Sequence, residues 1–326
     1  KLVVTVTPLK PSVAEILKGH GESRILLRPG QDAHSFALTL PQAQMLEDAD
    51  IVIVPDKSMS PFLERTFTKK KNIHVIELSG LEGAYPLAYS DENPWLDAAK
   101  EAAKKREKKP KETTTNDAHA DKNHRAHDEH THDEHAHDEH GITVDPHLWL
   151  DPERIAAIAM PLANLIAEKA PEARPTLQAN AKKLAKHLRG HVIPALRNVL
   201  GKQVRELTAV DRKIIPFITY HAAYQYFLAR FHLANYGEIT KRSEEEQGAK
   251  TIAATRSGAD KLNIRCLIGE QKNVLMVNIA KSTGARIVIL SPEQLPARED
   301  VDALEWIESD YDRLLYVTAK TFAQCL

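Results

Sequence analysis

Residues 49–54 read ADIVIV, a short run that is apolar except for Asp50 and is followed by Pro55. Such a run predicts a strand buried on both faces, as in a parallel sheet. Comparable strands are predicted on either side of it at 2–6, 23–27 and 74–78, separated by predicted helices at 11–19 and 41–47. Short apolar strands alternating with helices indicate an α/β lobe.

The second half of the chain repeats this alternation after a helical stretch. Residues 152–169 predict one amphipathic helix, and residues 171–200 predict a longer one that Pro194 should kink or end early. Strands are then predicted at 214–219, 265–269 and 286–290, with helices at 222–230, 249–262, 274–283 and 304–324. The pattern predicts an N-terminal α/β lobe at 1–170, a linking helix at 171–203 and a C-terminal α/β lobe at 204–326.

A polar, histidine-rich segment interrupts the first lobe. Eight of the sixteen histidines of the chain lie in one short window: His119, His124, His127, His130, His132, His135, His137 and His140. Residues 127–141 repeat a five-residue unit three times, as HDEHT, HDEHA and HDEHG. Five is the period of neither a helix nor a strand, and the segment has almost no large apolar side chains. We therefore expect a disordered loop at 112–141.

Composition excludes several classes of protein. The chain has 326 residues, a formal net charge of −1 and 6% aromatic residues, which argues against a nucleic-acid-binding protein. The apolar runs are too short for membrane insertion. Since the chain begins with Lys1 and continues directly into an apolar strand, we expect a mature chain whose signal peptide was removed, or a cut form. Cysteine counting leaves both a disulfide and two free thiols open for Cys266 and Cys325.

Three histidines outside the loop occupy similar contexts. His34 lies in PGQDAHSF after a predicted strand, His147 in VDPHLWLDP before a helix, and His221 in FITYHAAYQYF at the junction of a strand and a helix. In α/β folds ligands bind at the carboxyl ends of strands, so these side chains could face one crevice. His187 and His191 are spaced as a possible metal pair, but their charged helix favours a solvated face. Motifs for a nucleophile elbow or a phosphate-binding loop are missing from the sequence.

These three histidine motifs resemble those of the periplasmic zinc-binding proteins of ABC transporters, the ZnuA type, and the resemblance extends over nearly the whole chain. It implies two (β/α) lobes with parallel sheets, joined by a long rigid helix, with the metal in the cleft between them. It implies that His34, His147 and His221 bind zinc, for which three neutral imidazoles are a suitable set. It also implies a disulfide between Cys266 and Cys325, a periplasmic location and a membrane permease as partner. We further expect a monomer.

The fourth zinc ligand is where this sequence departs from the family pattern. Many relatives supply a carboxylate after the last strand, where this chain has LSPEQ with Ser291 in the position of the acid. Others place a glutamate directly before the first histidine, where this chain has Ala33. We therefore predict three histidines and a water, with Asp32 as the nearest alternative from the protein. The loss of both carboxylates argues for zinc over manganese.

Four functions remain open at this point. The first is a binding protein without enzymatic activity, which captures periplasmic Zn²⁺ for an ABC importer while the histidine loop collects the ion weakly. The second is a zinc hydrolase with a three-histidine, water-bearing centre. The third is a manganese-binding member of the same family. The fourth is a storage protein or metallochaperone in which the loop carries the function.

Overall fold

The computed structural model describes residues 1–28, 30–31, 33–34, 37–60, 63, 73–89, 144–205, 213–214, 216–240, 255, 258–259, 261–297 and 304–326. The histidine-rich loop with its eight histidines, Asp32 and most of the predicted helix at 249–262 lie outside these residues.

The first sheet has four parallel strands in the order β2-β1-β3-β4. Its strands are β1 (Leu2–Val4), β2 (Ser23–Ile25), β3 (Ile51–Val54) and β4 (His74–Glu77). All four residues of β3 are buried, as the apolar run predicts for a strand covered on both faces. Helices α1 (Lys10–Leu17) and α2 (Leu40–Glu47) follow β1 and β2. The chain between β2 and α2 leaves the carboxyl end of the sheet and carries His34.

The second sheet also has four parallel strands, in the order β10-β9-β6-β8. Its strands are β6 (Phe217–His221), β8 (Glu238–Thr240), β9 (Cys266–Gly269) and β10 (Arg286–Ile289). Strands β5 (Lys213–Ile214) and β7 (Leu233–Ala234) form a separate parallel pair. The predicted strand at 214–219 is therefore wrong in its bounds. Pro216 lies between β5 and β6, and proline cannot donate a ladder hydrogen bond.

Helices connect the two sheets. Helix α3 (Pro152–Ile166) is followed by α4 (Arg174–His187), a π-helical turn (Leu188–Val192) and α5 (Ile193–Leu200). The helical stretch does not end early at Pro194, because α5 continues to Leu200; a π-helical turn precedes the proline, whose missing N–H cannot bond to the carbonyl four residues earlier. The short helix α6 (Lys202–Arg205) leads into the second half. Buried apolar side chains from both halves form one large core cluster that includes Trp149.

The remaining helices lie in the second half: α7 (Gln225–Arg230), α8 (Val274–Thr283) and α9 (Asp310–Ala323). Helix α9 begins later than the predicted range of 304–324, because the Ser309 hydroxyl accepts a hydrogen bond from the Asp312 N–H and forms a capping box. A disulfide joins Cys266 in β9 to Cys325 just after α9, with their Cα atoms 5.8 Å apart. None of the helices that the structure describes is long and apolar enough to cross a membrane.

Candidate metal centre

Three histidine side chains meet where the carboxyl ends of the two sheets face each other. The ring centroids of His147 and His221 are 4.9 Å apart, those of His34 and His221 are 5.2 Å apart, and those of His34 and His147 are 5.3 Å apart. One potential ligand atom of each residue lies within 4.8 Å of the other two. His147 and His221 are fully buried, and the His34 side chain is 5% exposed. The structure thus brings together the three histidines that the sequence singles out.

Asp145 orients the ring of His147. Its Oδ1 lies 2.7 Å from His147 Nδ1 and accepts a hydrogen bond of 2.9 Å from the His147 backbone N–H. When Asp145 is ionised its carboxylate can only accept, so this contact then places a proton on Nδ1 and leaves Nε2 with a lone pair for a metal. Burial raises the pKa of Asp145 to about 7, although the His147 N–H lowers it.

Glu270 has the same relation to His221. His221 is the last residue of β6, and Glu270 follows the last residue of the neighbouring β9, so the parallel register places them side by side. His221 Nδ1 lies 3.0 Å from Glu270 Oε1, while His221 Nε2 is buried and has no hydrogen-bond partner among the described residues. Burial lowers the pKa of His221, but the hydrogen bond and charge of Glu270 outweigh it, so this pKa is raised.

The carboxylate of Glu293 lies close to His34, and it was not predicted from the sequence. Glu293 Oε1 lies 3.6 Å from His34 Nε2, and Oε2 accepts a hydrogen bond of 3.1 Å from the Ala33 N–H. Its backbone N–H bonds to the Ser291 hydroxyl at 3.3 Å, within the turn that follows β10. The available signal was the LSPEQ segment itself, in which a glutamate lies two residues after the serine that replaces the expected acid.

A polar cleft opens beside the three histidines. Its volume is about 300 Å³, and residues of both halves line it, including Gln31 from the first and Tyr220, Glu270 and Glu293 from the second. The charges of Glu293 and Asp145 add to the effect of Glu270 in raising the pKa of His221, so the field around the histidines is negative. A cleft with this charge and three imidazoles suits a divalent cation that prefers nitrogen ligands.

The two helical histidines behave differently from expectation. His187 is not on a solvated face: its side chain is 11% exposed, its Nε2 lies 3.0 Å from Asp312 Oδ2, and its Nδ1 lies 3.4 Å from Glu308 Oε1. The expectation of a solvated face is therefore wrong for His187, because α9 packs over it, and holds for His191, which is exposed.

Two parallel sheets joined by helices define an α/β protein, and the three histidines between its halves could hold a metal ion. Similar folds occur in a crystal structure of ZnuA (TM-score 0.67, 18% identity, covering 99% of this chain and 98% of that one) and in a zinc-bound variant of AdcAII of Streptococcus pneumoniae (TM-score 0.67, 20% identity, 98% and 97%). These likenesses confirm the predicted fold class.

The family follows from the sequence of the whole chain. Residues 2–325 match the model of the family ZnuA, described as "Zinc-uptake complex component A periplasmic", and the chain belongs to this family. It is 27% identical over 329 residues to the high-affinity zinc uptake system protein ZnuA of Brucella abortus (strain 2308), covering 100% of this chain and 91% of that protein. The family predicted from the histidine motifs is therefore confirmed.

Proposed function

We propose that this protein is a high-affinity zinc-binding protein of the periplasm, which captures Zn²⁺ and delivers it to the membrane permease of an ABC importer. The single observation that carries the proposal is the buried triad of His34, His147 and His221, whose ligand atoms lie within 4.8 Å of one another. Relatives that match the whole of this chain are named as zinc uptake proteins, which agrees with a site of three nitrogen ligands.

In this proposal His34, His147 and His221 are the zinc ligands. Asp145 and Glu270 hold two of the imidazoles in the tautomer that offers Nε2 to the metal. Glu293, rather than Asp32 or water, is our candidate for the fourth ligand, because its carboxylate lies 3.6 Å from His34 Nε2. A single carboxylate beside three imidazoles favours zinc, whereas manganese would favour more oxygen ligands.

The proposal includes the predicted organisation of the chain. Residues 1–170 and 204–326 act as lobes, and residues 171–203 act as the rigid helix that holds them in register. The protein works as a monomer and is not an enzyme. The eight loop histidines, together with the neighbouring carboxylates, collect zinc weakly and raise its local concentration beside the cleft.

A competition titration against a zinc chelator tests the site. His147→Ala should leave two imidazoles and raise the zinc Kd at least about 100-fold, because losing a ligand should cost at least as much as losing a partner that orients one. His191→Ala is the matched control, because His191 is exposed and remote from the triad, and its Kd should equal that of the wild type. Unchanged affinity of the His147 variant would exclude His147 as a ligand.

Deletion of residues 117–140 separates the cleft from the loop. We expect one tight site to survive and only the weaker zinc stoichiometry to fall. Disappearance of the tight site with the loop would favour a storage protein or metallochaperone over a cleft-binding protein.

A hydrolase with a three-histidine centre is tested by turnover of ester and phosphoester substrates. The proposal expects none above the zinc-free background. Turnover that His221→Ala abolishes would establish an enzyme instead.

A further inference from the structure

Helix α7 begins four residues after His221 and hydrogen-bonds to Ala88, which pairs with Val144, and to Asp151, which lies four residues after His147. At its start, Gln225 Nε2 donates a hydrogen bond of 2.9 Å to the carbonyl of Ala88. At its end, the Arg230 guanidinium donates bonds of 2.7 and 2.9 Å to the Asp151 carboxylate. A single short helix therefore fixes one predicted ligand relative to the segment that carries another.

Tyr226 makes the central contact of this helix. Its side chain is fully buried, and its hydroxyl accepts a hydrogen bond of 2.9 Å from the Leu87 N–H while donating one of 2.8 Å to the Asp145 carbonyl. The guanidinium carbon of Arg154 lies 4.8 Å from the centre of the Tyr226 ring, which suits a cation–π contact. Burial raises the pKa of Tyr226 well above its usual value, so the hydroxyl keeps the proton that it donates.

Asp145 is the residue through which this contact reaches the predicted zinc ligand. Its backbone N–H donates a bond of 2.8 Å to the Leu87 carbonyl, its own carbonyl accepts from Tyr226, and its Oδ1 lies 2.7 Å from His147 Nδ1. The main chain of Asp145 is thus fixed on both sides, and this sets the direction in which its carboxylate meets the imidazole.

We propose that Tyr226 is a positioning residue for zinc: its hydroxyl holds the peptide of Asp145 so that the Asp145 carboxylate orients His147 against His221. This rests on the proposed function. The rings of His147 and His221 have the shortest separation in the triad, 4.9 Å, and they come from different halves of the chain. Tyr226 belongs to the same strand–helix unit as His221. Its hydrogen bond to Asp145 therefore fixes the position of His147 relative to that of His221.

The first test compares Tyr226→Phe with Tyr311→Phe. Both remove only a hydroxyl from a buried ring, and the Tyr311 hydroxyl donates to the Trp149 carbonyl at 2.7 Å without contacting Asp145. Removing a partner that orients a metal ligand directly weakens metal binding about 10–100-fold. Tyr226 contacts Asp145 and not His147, so Tyr226→Phe should have a smaller effect and raise the zinc Kd about fivefold. The Tyr311 variant should stay within about twofold of the wild type, a smaller change than that expected for any orienting partner.

A spectroscopic measurement distinguishes positioning from simple destabilisation. Cobalt replaces zinc in the wild type and in both variants, and the d–d absorption bands report the geometry of the ligands. Tyr226→Phe should change these bands, and Tyr311→Phe should not. A Tyr226 variant with a lower melting temperature but unchanged Kd and unchanged cobalt bands would overturn the proposal.

A double-mutant cycle tests whether Tyr226 acts through Asp145. If it does, the Kd of Tyr226→Phe combined with Asp145→Asn should match that of Asp145→Asn alone, because the relay is already broken. If the two substitutions instead change the Kd by factors that multiply, Tyr226 does not act through Asp145 and the proposal is overturned. A wild-type chain without tight zinc binding would overturn the proposed function as well, whereas tight wild-type binding with an unaffected Tyr226 variant would overturn only this inference.

Discussion

Asp151 is a buried carboxylate at the start of α3 that two arginines hold in place. Its side chain is 2% exposed, with Arg230 Nε 2.7 Å from Oδ1, Arg230 Nη2 2.9 Å from Oδ2 and Arg154 Nε 3.3 Å from Oδ2. Oδ1 also accepts the Glu153 N–H at 2.9 Å and caps the helix. We expect Asp151→Ala to destabilise the protein more than any exposed ion pair could.

The magnitude follows from burial on each side of the pair. Removing one partner of a buried ion pair costs about 3–5 kcal/mol, because the other charge loses its compensation. The loss of an N-cap, about 1 kcal/mol, overlaps with this because the same oxygen makes both contacts. The Arg230 side chain is 30% exposed and keeps some water, which selects the lower end of the range. We therefore expect Asp151→Ala to lower the free energy of unfolding by about 3 kcal/mol.

Glu153→Ala is the matched control on the same helix turn. Glu153 accepts from Arg189 with comparable geometry, Nε at 2.9 Å and Nη2 at 2.6 Å from Oε1, but the two side chains are 31% and 49% exposed. Ion pairs that are exposed to water contribute about 0–1 kcal/mol to the free energy of unfolding. Urea denaturation of the zinc-free proteins measures both losses. A loss below about 1 kcal/mol for Asp151→Ala, or equal losses for the two variants, would refute the argument from burial.

Two further predictions concern the second half of the chain. Burial raises the pKa of Asp312, although the hydrogen bond from His187 lowers it, so the contribution of Asp312 to folding is greatest when it is protonated and is lost as the pH rises through its folded-state pKa. Asp312→Asn should therefore become more stable relative to the wild type as the pH rises from about 3.9, the usual pKa of aspartate, through the raised pKa. Urea denaturation at several pH values measures this difference in unfolding free energy. A difference that does not change with pH would contradict the prediction. The disulfide closes a loop with a sequence separation of 59, which corresponds to about 4 kcal/mol of loop entropy. Replacing both Cys266 and Cys325 by alanine should lower the unfolding free energy by about that amount, and a loss below about 1 kcal/mol would show that the unfolded chain is not constrained by the bond.

The fold could be predicted from sequence where apolar runs are short and bounded. ADIVIV at residues 49–54 identifies a strand buried on both faces, and β3 is that strand. The boundaries near Pro216 and Ser309 were less predictable, because a proline that cannot donate a ladder hydrogen bond separates β5 from β6, and a side-chain cap sets the start of α9. The extra residue in the π turn before Pro194 has no periodic signal of its own.

The metal centre also has a part that the sequence predicts and a part that it does not. His34, His147 and His221 each lie in a recognisable motif, so the sequence was sufficient to single them out. Glu293 and the burial of His187 depend on how separate parts of the chain pack together, and no local pattern encodes such packing. The role of Asp32 and the histidine-rich loop at 112–141 stay predictions.

An isolated antiparallel bridge pairs Ala88 with Val144, at the two points where the histidine-rich stretch leaves and rejoins the described chain. Because both ends are fixed side by side, the number of residues between them can change without moving His147. For the disordered loop that the sequence predicts at 112–141, doubling the length would cost only about 0.6 kcal/mol. Five-residue repeats can therefore be gained or lost during evolution at little cost to folding. For the same reason, this position would accept an inserted reporter domain with adjacent termini, which would turn the protein into a sensor for its own metal.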